Sequence, residues 1–427
     1  MYTCNTSRME DLLRTFSTYG ATKGGGITRY ALSAAALDAR REFIRRMQEI
    51  GAVIEFDDLA CVYATLPGTD PKSKRIVMGS HIDSVKNGGN YDGILGVLAA
   101  MEVLTVIASE EIPHTHPITA MIWTNEEGAL YPPSMMSSGL ICYDYLPDEI
   151  KISYNYDNLM NTPGIEYPEQ SFGQALAASG MQGVREHRIS PANSMCMFEL
   201  HIEQGPILEN AGNDIGVVDC ILGLFNCKVK FYGQAAHSGT FPMEQRKDAF
   251  YAASQALCWL HDAIDQLAID GLVYTTGEVH VHPNVHTCVP DYAEFSFDAR
   301  HTGVKERKMI YNLLLSIAER AWAGCRCVVE HAWTHNTVFL NPDMVEYITQ
   351  TVKESGISYQ PIHSGAGHDA QFCSYMLPTG MIFVPSQKGL SHCEEEYTSL
   401  EQCTNGASVM LGAVLKAEES YSLSTNF

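Results

Sequence analysis

Three histidines and a few carboxylates stand where a folded chain can gather them around metal ions. Gly79-Ser80-His81-Ile82-Asp83 follows a β-rich run directly and leads into Asn87-Gly88-Gly89-Asn90-Tyr91-Asp92-Gly93, a glycine-rich turn that opens an apolar helical stretch. His81 and Asp92 can converge there. An imidazole and a carboxylate at the carboxyl end of a parallel strand suit a borderline cation such as zinc, and Asp83 is placed to fix the imidazole tautomer from behind. Taken alone, the cluster reads equally well as a surface loop with a helix-capping Asp.

Trp123-Thr124-Asn125-Glu126-Glu127-Gly128 puts two adjacent carboxylates at the end of the next β-rich run. Neighbouring residues in such a turn point in different directions. One can bind metal while the other acts as general base toward water, a division of labour that two-metal hydrolysis requires. An isolated pair of this kind is more often a solvated acidic turn. His201 in Glu199-Leu200-His201-Ile202-Glu203-Gln204-Gly205 and His392 in Gly389-Leu390-Ser391-His392 complete the set. A lone histidine is usually structural, but three His, one Asp and one Glu at strand ends and loops make a ligand set for two metals bridged by a carboxylate.

The elements that must position these residues read as follows. Ala35–Ile50 has helical spacing and stops before Gly51; Val53–Phe56 and Cys61–Leu66 read as strands. Arg75–Gly79 and Ile118–Thr124 are β-rich and flank the apolar helix Ile94–Ile107, a crossover unit that predicts a parallel, doubly wound sheet. Ile215–Val218 and Met381–Pro385 are candidates for further strands. Between Asp219 and Asn336 the order changes to strand Cys227–Tyr232, helix Lys247–Leu267, strands Leu272–His280 and Ala293–Arg300, helix Val304–Ala323 and strand Cys327–Thr334. That β-α-β-β-α-β order is the ferredoxin-like pattern. The fold class expected is therefore α/β: a doubly wound mixed sheet over 1–218 and 337–427, carrying an inserted ferredoxin-like α+β domain over 219–336.

Composition narrows the partners. The 427 residues are 45% hydrophobic and 18% charged, ordinary globular usage. Twenty-eight basic against 50 acidic residues give a net charge of -22, which argues against nucleic acid and anionic membrane surfaces. An anionic substrate must then meet a local positive centre, a metal or an isolated Arg. Thirteen scattered cysteines read as reduced core thiols, Met1–Gly26 lacks a basic-then-apolar signal pattern, and no apolar run approaches a bilayer span. A cytoplasmic location is the expectation.

In motif order the chain resembles the dinuclear-zinc amidohydrolases related to aminoacylase and carboxypeptidase, above all the branch of N-carbamoyl-L-amino acid amidohydrolases, β-ureidopropionases and allantoate amidohydrolases. The motifs are Gly79–Asp92, His201–Glu209, His237-Ser238-Gly239-Thr240-Phe241-Pro242-Met243, Ser364-Gly365-Ala366-Gly367-His368-Asp369-Ala370-Gln371 and Ile382–His392. They span nearly the whole chain.

The resemblance implies that His81, Asp92 and His201 hold one metal and that Asp92, Glu127 and His392 hold the other, with Asp92 as the bridge. It implies Glu126 as general base and proton donor, and His237 as an oxyanion-stabilising residue reaching the site from a partner subunit, hence a homodimer. Arg300 matches the substrate-carboxylate ligand, and Gln204 with the Gly365-Ala366 backbone matches the ureido contacts. Two positions depart from the pattern: Thr287 stands where an Asn is usual, and Leu130 where an Arg is usual. Asn284 or His286 is placed to compensate for Thr287. The activity implied is hydrolysis of an N-carbamoyl amino acid to the amino acid, carbon dioxide and ammonia. Allantoate or ureidoglycine-type hydrolysis is the alternative, followed by an aminoacylase or dipeptidase activity; a binding module without catalysis is the non-enzymatic one. The ligand set also accepts manganese, cobalt or nickel.

Overall fold

In the computed structural model, which describes residues 2–424, the chain divides into two compact units: Ile221–Val338, and the remainder up to Cys220 and from Phe339 onward. Among the described residues no helix is long and apolar enough to cross a membrane, and all thirteen cysteines are free.

The larger unit is built on a mixed sheet. Its main path runs Val53–Phe56, Val62–Leu66, Ile118–Trp123, Arg75–His81, Ser194–Ile202, Thr379–Val384, Ile215–Ile221, with Tyr359–Ser364 also paired to the last. The central strands are parallel: Arg75–His81 pairs in parallel with Ile118–Trp123 and with Ser194–Ile202, which pairs in parallel with Thr379–Val384. The sheet turns antiparallel toward both edges, at Val62–Leu66 and at Ile215–Ile221. The sheet is thus mixed as expected, with the parallel strands of the crossover unit in the middle, where both faces are covered. Arg75–His81, Ile118–Trp123 and Thr379–Val384 are buried along their entire lengths, as strands sandwiched on both faces must be.

Alternate residues feed two cores. Ile76, Met78, Ala120 and Ile122 join the cluster under the helices Ile94–Ser109 and Leu400–Ser424, whereas Val77, Met121 and Trp123 join Tyr63, Tyr131 and Phe172 on the other face. The helix Ile94–Ser109 is apolar on nearly every face and buried along most of its length, its one acidic residue, Glu102, being paired with Arg8 at 2.7 Å; it packs on both its parent strand and the C-terminal helix. Two buried guanidiniums clamp the strand ends that bear the chemistry. Arg29 donates to the carbonyls of Ile82, Phe16 and Tyr19, and Arg40 to the Trp123 carbonyl and the Thr124 hydroxyl.

The smaller unit is an antiparallel sheet in the order Val279–His282, Tyr292–His301, Gly223–Tyr232, Arg326–His335, covered by the helices Ala249–Leu267 and Val304–Ala318. Gly223–Tyr232 alternates buried and half-buried residues without a break, the period of a sheet with one covered face. The single strand expected over Leu272–His280 is instead two, Val273–Thr275 and Val279–His282, both paired to Tyr292–His301. The Ser296 hydroxyl takes the N–H groups of Gly277 and Glu278, drawing those residues off the ladder. The following helix ends at Ala318 rather than Ala323, where the Trp322 indole N–H caps the Ile317 carbonyl.

Gly96 sits where the enclosed helix meets the sheet: a Cβ there would lie 2.3 Å from the Leu200 carbonyl oxygen and 2.7 Å from Ser80 Cβ. Gly96→Ala is therefore expected to cost about 1–3 kcal/mol of overpacking. A melting curve should show a midpoint lower by roughly 2–4 °C per kcal/mol; an unchanged midpoint would mean the helix can retreat freely.

Candidate active site

The candidate residues of the larger unit meet at the carboxyl ends of its central strands. His81 ends Arg75–His81, His201 lies one residue before the end of Ser194–Ile202, and Asp92 precedes the helix Ile94–Ser109. Gly93, at φ 65°, makes the turn between Asp92 and that helix, and a Cβ on it would lie 2.2 Å from the His81 ring. Glu126 and Glu127 follow Asn125, which takes the left-handed conformation at φ 62° and anchors the turn by donating to the Tyr131 carbonyl. Gln204 and His392 also have positive φ, at 59° and 56°. Such backbone outliers in one cluster are typical of functional sites.

The geometry is that of two ligand sets sharing one carboxylate. The ligand atoms of His81, Asp92 and His201 all lie within 4.8 Å of one another, and so do those of Asp92, Glu127 and His392. His81 Nδ1 and His201 Nδ1 each lie 2.9 Å from a backbone carbonyl, of Asp83 and Ile202, to which they donate. The Nε2 atoms consequently face Asp92, at 3.5 and 3.3 Å from Oδ1. His392 Nε2 is 3.4 Å from Asp92 Oδ2 and 3.6 Å from Glu127 Oε2. Tetrahedral coordination with bonds of about 2.1 Å separates neighbouring ligand atoms by roughly 3.4 Å, so these spacings fit a cation between each pair. Glu127 Oε1 is buried with no hydrogen-bond partner among the described residues, which also fits a cation.

The electrostatics point the same way. The cavity, of about 240 Å³, is lined by His81, Asp92, Glu126, Glu127, His201 and His392 among others, with no Lys or Arg among its described lining residues. Burial raises the Glu127 pKa to about 7, Asp92 adding to it. Burial, with Asp369 and Glu127 behind it, raises Glu126 well above the carboxylate range against the pull of His81. Burial opposes ionisation of Asp92 as well, yet the surrounding histidines hold its pKa well below the usual range, and the bond to Asp92 lifts His392 to about 9. The site draws positive charge to itself.

Several contacts differ from the sequence expectation. Asp83 orients His81 through its backbone carbonyl, while its carboxylate accepts the N–H groups of Glu126 and Glu127. Gln204, matched to a ureido contact, donates its amide to Asp92 Oδ2 at 2.6 Å. Ala366 lines the cavity, with Gly365 beside it in the chain. His237, Arg300 and Asn284 belong to the smaller unit. His237 is exposed on a two-residue strand opposite Cys288; Arg300 donates through Nε to Asp298; Asn284 is exposed at φ 56°.

Other contributors were given no role from the sequence, although Ser80, Glu199, His368 and Ala370 stand within the motifs that mark the site. Glu396 accepts the N–H groups of Tyr91 and Asp92 and the hydroxyl of Ser391, which also donates to Asp92. Glu199 accepts from the Ser80 hydroxyl and the Ala370 N–H, and the His368 ring packs 4.5 Å from His201. Adjacency of Ser391 to His392 was the available cue; Glu396 lay hidden in an acidic run.

The chain belongs to Peptidase family M20/M25/M40, whose model matches residues 77–416; the family's enzymes are metal-dependent hydrolases. Within it, the chain is 33% identical to the N-carbamoyl-L-amino-acid amidohydrolase of Rhizobium meliloti, over 97% of each chain. It is 32% identical to the allantoate amidohydrolase of Escherichia coli (strain K12), over 94% of this chain and 95% of that one. A crystal structure of an amidase of the hydantoinase/carbamoylase family from Burkholderia multivorans matches with a TM-score of 0.87 at 31% identity, covering 97% of this chain and 98% of the other. The relatives make this chain a hydrolase of the amidohydrolase type.

Because the Gly93 Cβ position is occupied by the His81 ring, Gly93→Ala must push that imidazole aside. Bound metal per chain after dialysis should fall, with affinity reduced by about 10–100-fold, the usual effect of disturbing a ligand's orientation. Full retention of metal would show that His81 is not a ligand.

Proposed function

We propose that the protein hydrolyses the ureido C–N bond of an N-carbamoyl amino acid-like substrate, giving the amino acid, carbon dioxide and ammonia. The observation that carries this reading is the pair of ligand sets sharing Asp92, with Glu126 in the same cavity but in neither set. Two divalent ions, zinc by the donor chemistry, would be held by His81, Asp92 and His201 and by Asp92, Glu127 and His392. When bound, they lower the pKa of water and polarise the scissile carbonyl.

The chain's own groups supply the rest. Glu126, as the carboxylate, takes a proton from water; its burial favours the protonated form it then holds, from which it passes the proton to the leaving nitrogen. His237 stabilises the oxyanion of the tetrahedral intermediate from a partner subunit, and Arg300 holds the substrate carboxylate as a two-pronged donor. Gln204 and the Gly365-Ala366 backbone orient the ureido group, and Asn284 compensates for Thr287 in binding the substrate. The smaller unit serves as the dimerisation domain of a cytoplasmic homodimer. Phe250 and Tyr251, exposed on its helix Ala249–Leu267, support an apolar subunit contact. Allantoate hydrolysis is the second reading, favoured by the near-equal identity to the Escherichia coli relative.

Glu126→Gln is expected to lower turnover by about 10²–10⁴ with metal content near that of the parent protein, because a base is lost and no ligand. Asp92→Ala should strip both sets of metal. Ammonia release and elemental analysis on a panel of N-carbamoyl amino acids and allantoate read both effects. Metal loss in Glu126→Gln would remove it from the base role.

Mixing two inactive proteins, His237→Ala and Glu126→Gln, tests the shared site. Subunit exchange should give heterodimers with one site carrying both lesions and one carrying neither, so activity returns. If tagged pull-down shows heterodimers and no activity appears, His237 serves its own chain or none.

A further inference from the structure

A second convergence of metal-ligating side chains lies in the larger unit, on residues the hydrolytic site does not use. Asp219 and Cys220 lie just before the end of the strand Ile215–Ile221, and His363 lies near the end of Tyr359–Ser364, the strand paired with it. His363 Nδ1 is 2.5 Å from Asp219 Oδ1 and 3.4 Å from Cys220 Sγ, and all three ligand atoms lie within 4.8 Å of one another.

Two aspects of this geometry are unusual. Adjacent residues of a strand ordinarily send their side chains to opposite faces, yet Asp219 and Cys220 reach the same ring nitrogen. That nitrogen is also the wrong one for a proton relay: a Cys-His-Asp relay needs the thiol on one ring nitrogen and the carboxylate on the other. Here both converge on Nδ1, so thiol, imidazole and carboxylate surround one point. The frame is rigid. Cys220 is fully buried, the two strands are paired, and the Asp219 carbonyl is held by the Leu340 N–H at 2.9 Å. The imidazole and carboxylate are about half exposed, which leaves the point open to solvent.

We propose that Asp219, Cys220 and His363 form a separate binding site for a thiophilic divalent cation, zinc by the donor set, with solvent completing the shell. A thiolate, an imidazole and a carboxylate are all zinc donors, and the Nδ1-to-Sγ spacing of 3.4 Å is close to the roughly 3.6 Å of a tetrahedral site with bonds of about 2.1 and 2.3 Å. Only the Asp219 contact must open, by less than 1 Å by the same bond lengths. On binding, the Cys220 thiol loses its proton to solvent and the remaining ring proton of His363 resides on the exposed Nε2, so one thiol proton is released per ion. The cation ties the two strands together at their ends.

Cobalt is the probe, because a thiolate bound to Co²⁺ gives an intense near-ultraviolet charge-transfer absorption and the hydrolytic ligand sets contain no sulfur. The full-length protein, stripped by chelator and reloaded with Co²⁺, should show this absorption and bind one ion more per chain than Cys220→Ser or His363→Ala. His363 is exposed, so His363→Ala keeps the test valid if Cys220→Ser folds poorly. Equal cobalt content in parent and His363→Ala proteins, or an absorption that persists in a folded Cys220→Ser protein, would overturn the assignment. Neither result bears on Glu126 or Asp92.

Discussion

Burying several carboxylates within a few ångströms of one another is the constraint on which the larger unit is organised. Asp92, Glu126 and Glu127 meet in one cavity with Glu199 and Asp369 behind them, and each left ionised and unpaired there would cost several kcal/mol. Acids also position acids. The carboxylate of Asp83 receives the backbone of the Glu126-Glu127 turn, and that of Glu396 the backbone of the Tyr91-Asp92 turn. Negative charge therefore accumulates in layers. Imidazoles inside and the guanidiniums of Arg29 and Arg40, both within electrostatic reach of Asp83, offset it in part. A divalent cation is the economical way to offset the rest.

Rigidity follows from the same demand. A carboxylate cluster is stable only while its spacings hold, so its members stand on strand ends, at left-handed turn residues and beside glycines that let elements touch. Gly93 admits the His81 ring and Gly96 admits the Leu200 carbonyl. The His81 and His201 imidazoles are each turned by a backbone carbonyl, a partner that no side-chain rotation can remove.

The parts legible in the sequence were those with a period or a characteristic residue type. Apolar runs marked the central strands, the largely apolar Ile94–Ile107 marked the crossover helix, and the β-α-β-β-α-β order marked the inserted unit. The residues His81, Asp92, Glu127, His201 and His392 were legible as donors, and their convergence is visible in the geometry. What was not legible depends on tertiary contact. Ser296 breaking the strand at Gly277 is a cross-strand hydrogen bond with no local pattern. Glu396 cannot be told from Glu394 and Glu395 in the sequence until the fold brings Tyr91 to it. Asp83 orients His81 with a carbonyl, an atom that every residue type carries.

The sheet order also sets a timetable for synthesis. Thr379–Val384 lies between Ser194–Ile202 and Ile215–Ile221, so two strands made early face an empty slot that only a late segment can fill. The ribosome must complete all of Ile221–Val338 before that segment emerges, and His392 follows it. The smaller unit, with a core of its own, is able to fold while the larger one waits with an open seam. A nascent chain stalled before Thr379 thus exposes two apolar strand edges and lacks the imidazole of His392 beside Asp92 and Glu127.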